Sequence, residues 1–260
     1  GEIDIPPLSA IEGEVLASPV VTMPEQSGDG IVLRAINLTI QANQTVAITG
    51  TIGSGKSTLI NLLTGIYKPE RDMLFINGID ICDIHPESLA QHISVVPQET
   101  FLFSRSIAEN VSLGNNGQVN MDDVKNAVRL AGLEQDIETF PERYDQILGE
   151  RGITLSGGQK QRTAIARALP KRRPVLIFDD ALSSVDAKTE SQILENLRAL
   201  ESFHTLIIVS HRISALKNAD IIYVLDKGEI ASPLLTKDPK LQQRIKQQPL
   251  LEWKALNVRR

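Results

Sequence analysis

The chain has one cysteine, no apolar run long enough to cross a bilayer, and no excess of positive charge. Each absence excludes something. Cys82 has no second thiol to pair with, so no internal disulfide forms; a reducing compartment and a buried, inert thiol are the reading. No stretch approaches the ~18 consecutive apolar residues of a membrane-spanning helix, so if the chain works at a membrane something else holds it there. The 27 Lys and Arg against 32 Asp and Glu give a net charge of −5, scattered along the sequence, and no global basic field argues for nucleic acid. Internal repeats, low-complexity tracts and sustained heptads are lacking too. The opening Gly1-Glu2-Ile3-Asp4 is acidic, has no apolar core and no initiator Met; it reads as part of a longer protein and not as a secretory leader.

What remains is an ordinary globular composition, 42% hydrophobic and 23% charged over 260 residues. That suffices for one large domain or two packed subdomains. Residues 1–30, rich in Pro, Ser, Gly and acidic side chains, read as a linker entering a first strand. From Ile31 apolar strands alternate with helical stretches. Val46-Ala47-Ile48, Ile93 to Val96, Val175 to Phe178 and Leu206 to Val209 are short Val- and Ile-rich runs bounded by polar or turn residues. Parallel strands buried on both faces have that pattern. The spacing predicts a helix after Gly55 that buries Leu59, Ile60, Leu62 and Leu63, and another after Asn120, an N-cap, that buries Val124, Ala127, Val128 and Ala131. Residues 99–168 read as a helical subdomain inserted into an α/β core with a mostly parallel sheet and antiparallel strands near the N-terminus. Leu241 and Ile245, four apart in a polar tail (231–260), predict a short surface helix.

Gly50-Thr51-Ile52-Gly53-Ser54-Gly55-Lys56-Ser57 matches G-x-x-x-x-G-K-[ST] in full, between a predicted strand and a predicted helix, and Thr58 directly after it counts with the nucleotide-binding residues. Average residue frequencies produce the pattern by chance in roughly one chain in a hundred of this length. The glycines let backbone N–H groups approach phosphates, and the helix start adds partial positive charge there. Lys56 then reaches the β- and γ-phosphates and the Ser57 hydroxyl a Mg²⁺ ion. Val175 to Phe178 ends in Asp179-Asp180. Alone, an acidic strand end is as often a loop cap as a metal site; given the phosphate loop, Asp179 reads as a Mg²⁺ partner.

Leu155-Ser156-Gly157-Gly158-Gln159 decides among phosphate-loop proteins. At a helix start it forms a second anion site, and here the chain resembles the ABC ATPase family, over roughly residues 31–230. The resemblance implies a P-loop fold, ATP and Mg²⁺ as ligands, and a head-to-tail dimer in which this signature faces the nucleotide held by an opposing domain. It also implies a transmembrane partner, fused or separate, on whose cytoplasmic side (a bacterial inner membrane) the chain sits. Val95-Val96-Pro97-Gln98 resembles the segment whose glutamine touches Mg²⁺ and water. Leu148 to Gly152, with Glu150, resembles the exporter stretch that contacts the membrane domain. Ser183-Ser184-Val185-Asp186 resembles the loop crossing the dimer interface, and Val209-Ser210-His211-Arg212 the switch whose histidine contacts the γ-phosphate. A lone His after a strand is by default structural; its place in this order favours the ligand role. The Glu150 stretch and Asp180 to Asp186 look most like multidrug or lipid exporters.

Two departures stand out. Where the family usually has a Glu base, this chain has Asp180. Losing one methylene retracts the carboxylate by about 1.5 Å, and a misplacement of ~1 Å can cost ~10²-fold. ATP binding with slow hydrolysis is the expectation, as in the degenerate half of a heterodimeric exporter that lends its signature to a competent site. Upstream, Met23 stands where the family stacks adenine on an aromatic ring; packing through a polarisable sulfur and an ordinary linker Met both fit. Rival readings are a non-transport ABC ATPase, which would carry a long coiled coil or a second basic domain, and a regulatory half with little hydrolysis of its own.

Overall fold

The computed structural model describes residues 31–115, 117–149, 154–170, 173–200, 205–217, 219–235, 249–253 and 256–259. The N-terminal linker with Met23, the residue Glu150, and the tail positions Leu241 and Ile245 lie outside the described residues. In chain order the elements begin with strands β1 (Ile31–Ile36), β2 (Thr39–Gln41) and β3 (Thr45–Gly50), then helix α1 (Lys56–Leu63). Strands β4 (Leu74–Ile76) and β5 (Ile79–Asp80), helix α2 (Pro86–His92) and strand β6 (Ile93–Val96) follow. Four helices come next: α3 (Ile107–Ser112), α4 (Met121–Leu130), α5 (Glu134–Thr139) and α6 (Gly157–Ala168). Then come β7 (Val175–Asp179), α7 (Ala187–Arg198), β8 (Thr205–Val209) and α8 (Ile213–Leu216). Strands β9 (Ile221–Asp226), β10 (Glu229–Leu235), β11 (Pro249–Trp253) and β12 (Leu256–Arg259) complete the series.

These elements form two units, one from residues up to Ile93 together with those from Ala219 onward, the other Ser94–Asn218. In the first, β3 runs parallel to β9, in register from Val46 opposite Ile221 to Gly50 opposite Leu225. Val46, Ala47 and Ile48 are fully buried, as a parallel strand covered on both faces requires. The entry to the pair is pinned at both strands: the Thr45 N–H donates to Asp220 Oδ2 at 2.7 Å, and the Asp220 N–H to the Thr45 carbonyl at 2.7 Å. A two-residue turn, Lys227-Gly228, with both φ angles positive, folds β10 back antiparallel on β9. The two ends of the described chain meet: β12 pairs antiparallel with β1, and β11 lies between β2 and β4.

In the second unit β7 and β8 are parallel, from Val175 opposite Thr205 to Asp179 opposite Val209, with β6 on the other side of β7. Helices α3 to α6 enter between β6 and β7. The Asn120 side chain accepts from the Asp122 N–H at 3.0 Å and starts α4, with Asp122 and Asp123 in the first turn and Arg129 in the last. Those charges oppose the helix dipole at both ends. The apolar face of α4 buries Val124, Ala127, Val128 and Leu130 in a core shared with Ile165 of α6, Phe178 of β7 and Ile193 of α7. Among the described residues no helix is long and apolar enough to cross a membrane.

Candidate nucleotide-binding site

The first unit carries the phosphate-loop motif. The buried run of β3 ends at Gly50, where φ is +153° and an added Cβ would stand 1.9 Å from the Leu225 carbonyl oxygen and 2.9 Å from Ser54 Oγ. Only glycine passes so close to β9. The Ser54 N–H closes a turn on the Thr51 carbonyl at 3.2 Å, and the Ser54 carbonyl accepts from the Gly228 N–H at 3.1 Å, so the β9–β10 turn steadies the loop. Gly55, in a left-handed conformation (φ 104°), precedes α1, whose start has no side-chain cap. The first-turn N–H groups are thereby left to an anion. The Lys56 ammonium folds over the loop, donating to the Gly50 and Thr51 carbonyls at 2.8 Å each and to Ser54 Oγ at 3.4 Å. Thr51, Ile52, Gly53 and Ser57 are exposed and Thr58 is half-buried, while Leu59, Ile60, Leu62 and Leu63 anchor the helix.

The second unit carries the remaining motifs. Register brings the ends of β7 and β8 together, and the Asp180 N–H donates to the Val209 carbonyl at 2.9 Å. Asp179 and Asp180, both half-buried, therefore lie beside the segment leading to exposed His211. Asp180 has φ +47°, a left-handed conformation that Asp accepts more readily than longer side chains. Gln98 is exposed two residues beyond β6. Within this unit Asp179 and Gln98 are oxygen donors of the kind Mg²⁺ takes, one or two carboxylates beside phosphate oxygens and several waters; in the first unit the exposed Ser57 hydroxyl is another. Among the described residues no three His, Cys, Asp or Glu side chains cluster as a self-sufficient metal cage.

The signature starts α6. Ser156 Oγ accepts from the Gln159 N–H at 3.3 Å, and Gln159 Oε1 from the Ser156 N–H at 2.9 Å, a reciprocal capping box. Gln159 Nε2 also donates to Asp136 at 2.8 Å, and Asp136 pairs with Arg162 at 2.9 Å. Leu155 is buried, whereas Ser156 and Gly157 are exposed. Asp186 caps α7 by accepting from the Lys188 and Thr189 N–H groups at 3.1 and 3.0 Å; bonds from Thr189 hold its carboxyl below the usual range.

Three residues of this neighbourhood, Gln161, Glu190 and Arg212, were given no role of their own from the sequence. Gln161 is 5% exposed, and its signal was present: a polar residue at i−3 and i−4 from Ala164 and Ile165 lies on the buried face of α6. Arg212 pairs at 2.8 Å with Glu190, which has no exposed surface, across 22 positions of sequence that carry no hint of the pair.

The ABC transporter family profile matches residues 33–183, well over half of the chain. The ATP-dependent lipid A-core flippase of Syntrophus aciditrophicus (strain SB) is 43% identical over 202 residues, covering 78% of this chain and 33% of the flippase. The alpha-hemolysin translocation ATP-binding protein HlyB of Escherichia coli is 40% identical over 238 residues, covering 84% of this chain and 34% of HlyB. A solved structure of a bacterial Atm1-family ABC exporter with ATP bound matches at 41% identity and TM-score 0.69, covering 74% of this chain and 34% of that one. The chain thus spans about a third of the length of these relatives, and the shared fold is the α/β P-loop core with its helical insertion. With the motifs in family order and the family profile matched over more than half of its length, the chain belongs to the ABC transporter family.

Proposed function

We propose that this chain binds Mg-ATP, closes on it in a head-to-tail dimer with a second ABC ATPase domain, and hydrolyses it to power export of a substrate across a membrane. The domain works at the cytoplasmic face, a bacterial inner membrane, held by a transmembrane domain that is fused or separate. The observation that carries the reading is the start of α1, which has no side-chain cap and has Lys56 folded over the loop that leads into it.

The Gly50–Thr58 segment cradles the phosphates with backbone N–H groups, and Lys56 exchanges loop carbonyls for phosphate oxygens. Ser57, Gln98 and Asp179 hold Mg²⁺, which supplies charge neutralisation at the phosphates. His211 contacts the γ-phosphate. Ser156, Gly157, Gly158 and Gln159 face the nucleotide of the opposing domain, and Met23 packs on adenine. Asp180 is the base that polarises water, weakened by its short reach. Its left-handed backbone is one that Asp adopts more readily than longer side chains. The working unit is then a heterodimer with one slow site, containing Asp180, and one fast site, completed by this chain's signature.

Turnover at saturating Mg-ATP tests this, measured for the chain alone and with a second half carrying Glu at the matching position. Slow hydrolysis alone and fast hydrolysis in the pair is the expected result. Rapid hydrolysis by a homodimer of this chain removes the reason for a second, different half.

A further inference from the structure

The loop between β7 and α7 is gripped from two sides. On one side stands Gln161, whose amide holds it with both ends: Nε2 donates to Ser183 Oγ at 2.8 Å, and Oε1 accepts from the Ser184 N–H at 2.7 Å. The same loop touches the helix start directly. A Cβ on Gly158 would lie 2.9 Å from the Ser184 carbonyl oxygen, so this glycine is needed for the chain's own packing as well as for any anion. On the other side, Arg212 Nη1 donates to the carbonyls of Leu182 at 2.7 Å and Val185 at 2.6 Å while pairing with buried Glu190. Arg212 directly follows His211. Four consecutive residues, Leu182 to Val185, are therefore tied to the signature helix through the middle pair and to the switch segment through the outer pair. Ser183 and Ser184 are themselves exposed, so without Gln161 water competes for both.

We propose that Gln161 and Arg212 are positioning residues for ATP turnover, making Leu182–Val185 a stiff link through which the switch segment and the signature helix hold one another in place. The inference rests on the ATPase reading above. An amide is required at position 161 because the loop asks for a donor and an acceptor at once; Met has the length and neither function.

The test uses the assembled dimer for turnover and the nucleotide-free chain for amide exchange. Gln161→Met lowers kcat about tenfold with the KM for ATP within about twofold, since it disturbs alignment and leaves the phosphate loop alone. Ser183→Ala, an exposed change that removes one acceptor, lowers kcat about threefold, and the double variant is no slower than Gln161→Met, because the bond that Ser183→Ala cuts is already lost in Gln161→Met. In the nucleotide-free chain the Ser184 amide exchanges faster in Gln161→Met. Wild-type kcat in both single variants, or multiplicative effects with unchanged Ser184 exchange, overturns the proposal. A wild-type protein without turnover overturns the ATPase reading instead. Exchange then decides the link alone, supported by acceleration at Ser184 and overturned by none.

Discussion

Two helix starts in this chain face anions in the proposed cycle, and they are built in opposite ways. The start of α1 has no side-chain cap, a left-handed glycine before it, and a lysine whose ammonium donates to oxygens of the loop. The start of α6 is closed by its own chain, with Ser156 and Gln159 capping each other and Gln159 tied to Asp136. An uncapped start has donors to offer, so α1 supplies affinity. A capped start is already satisfied and rigid, so α6 supplies shape to a nucleotide that another loop holds. The lesson is that two glycine-rich segments of one chain divide binding from alignment.

Gly50→Ala attacks the first start hardest. The new Cβ cannot coexist with the Leu225 carbonyl, so the loop is displaced and Mg-ATP binding, measured by fluorescence titration, falls below detection; retained affinity would mean that the loop's approach to β9 is dispensable. Arg212→Ala attacks the supports of the second. It strands the fully buried Glu190 carboxylate without its partly exposed partner; breaking a fully buried pair costs about 3–5 kcal/mol, and solvent at Arg212 places the loss in denaturant unfolding at or below the lower end of that range. By contrast the exposed pair Arg71–Asp83, 2.7 Å apart, is dispensable, and Arg71→Ala leaves the unfolding curve in place.

Asp180→Glu restores reach towards water and raises turnover of the slow site several-fold, up to about 10²-fold if misplacement alone limits it. The left-handed backbone at Asp180 opposes the longer side chain, so the gain is bounded. An unchanged rate at saturating ATP with a fixed partner would show that another defect limits the site. Ser156→Ala removes one cap and costs about 1 kcal/mol of stability. It lowers turnover in the heterodimer more than the same change in the partner's signature, and leaves ATP affinity of the single chain untouched.

Much of this was legible in the sequence because the relevant physics is local. The apolar runs around Val46, Ile93, Val175 and Leu206 became β3, β6, β7 and β8, and Asn120 capped α4. The phosphate-loop and signature residues fell on the strand ends and helix starts that their spacing predicted. What was not legible depends on distant partners. The tail strands β11 and β12 pair with β2, β4 and β1, across separations no periodicity reports, in a stretch whose pattern is weak. Arg212, at the start of α8, and Glu190 meet because α7 and α8 pack. Asp180 has a left-handed backbone and its N–H donates to Val209 on the neighbouring strand, a pairing that the local sequence does not report.

The division of labour between the two helix starts is tested most directly by calorimetric titration of Mg-ATP into the chain at concentrations where it is monomeric, comparing wild type, Lys56→Ala and Ser156→Ala. Lys56→Ala removes a charge-assisted phosphate contact and no core packing, so binding is lost while the melting curve stays in place; Ser156→Ala binds as the wild type does. Unchanged affinity in Lys56→Ala, or a loss in Ser156→Ala of the same size, would contradict the account.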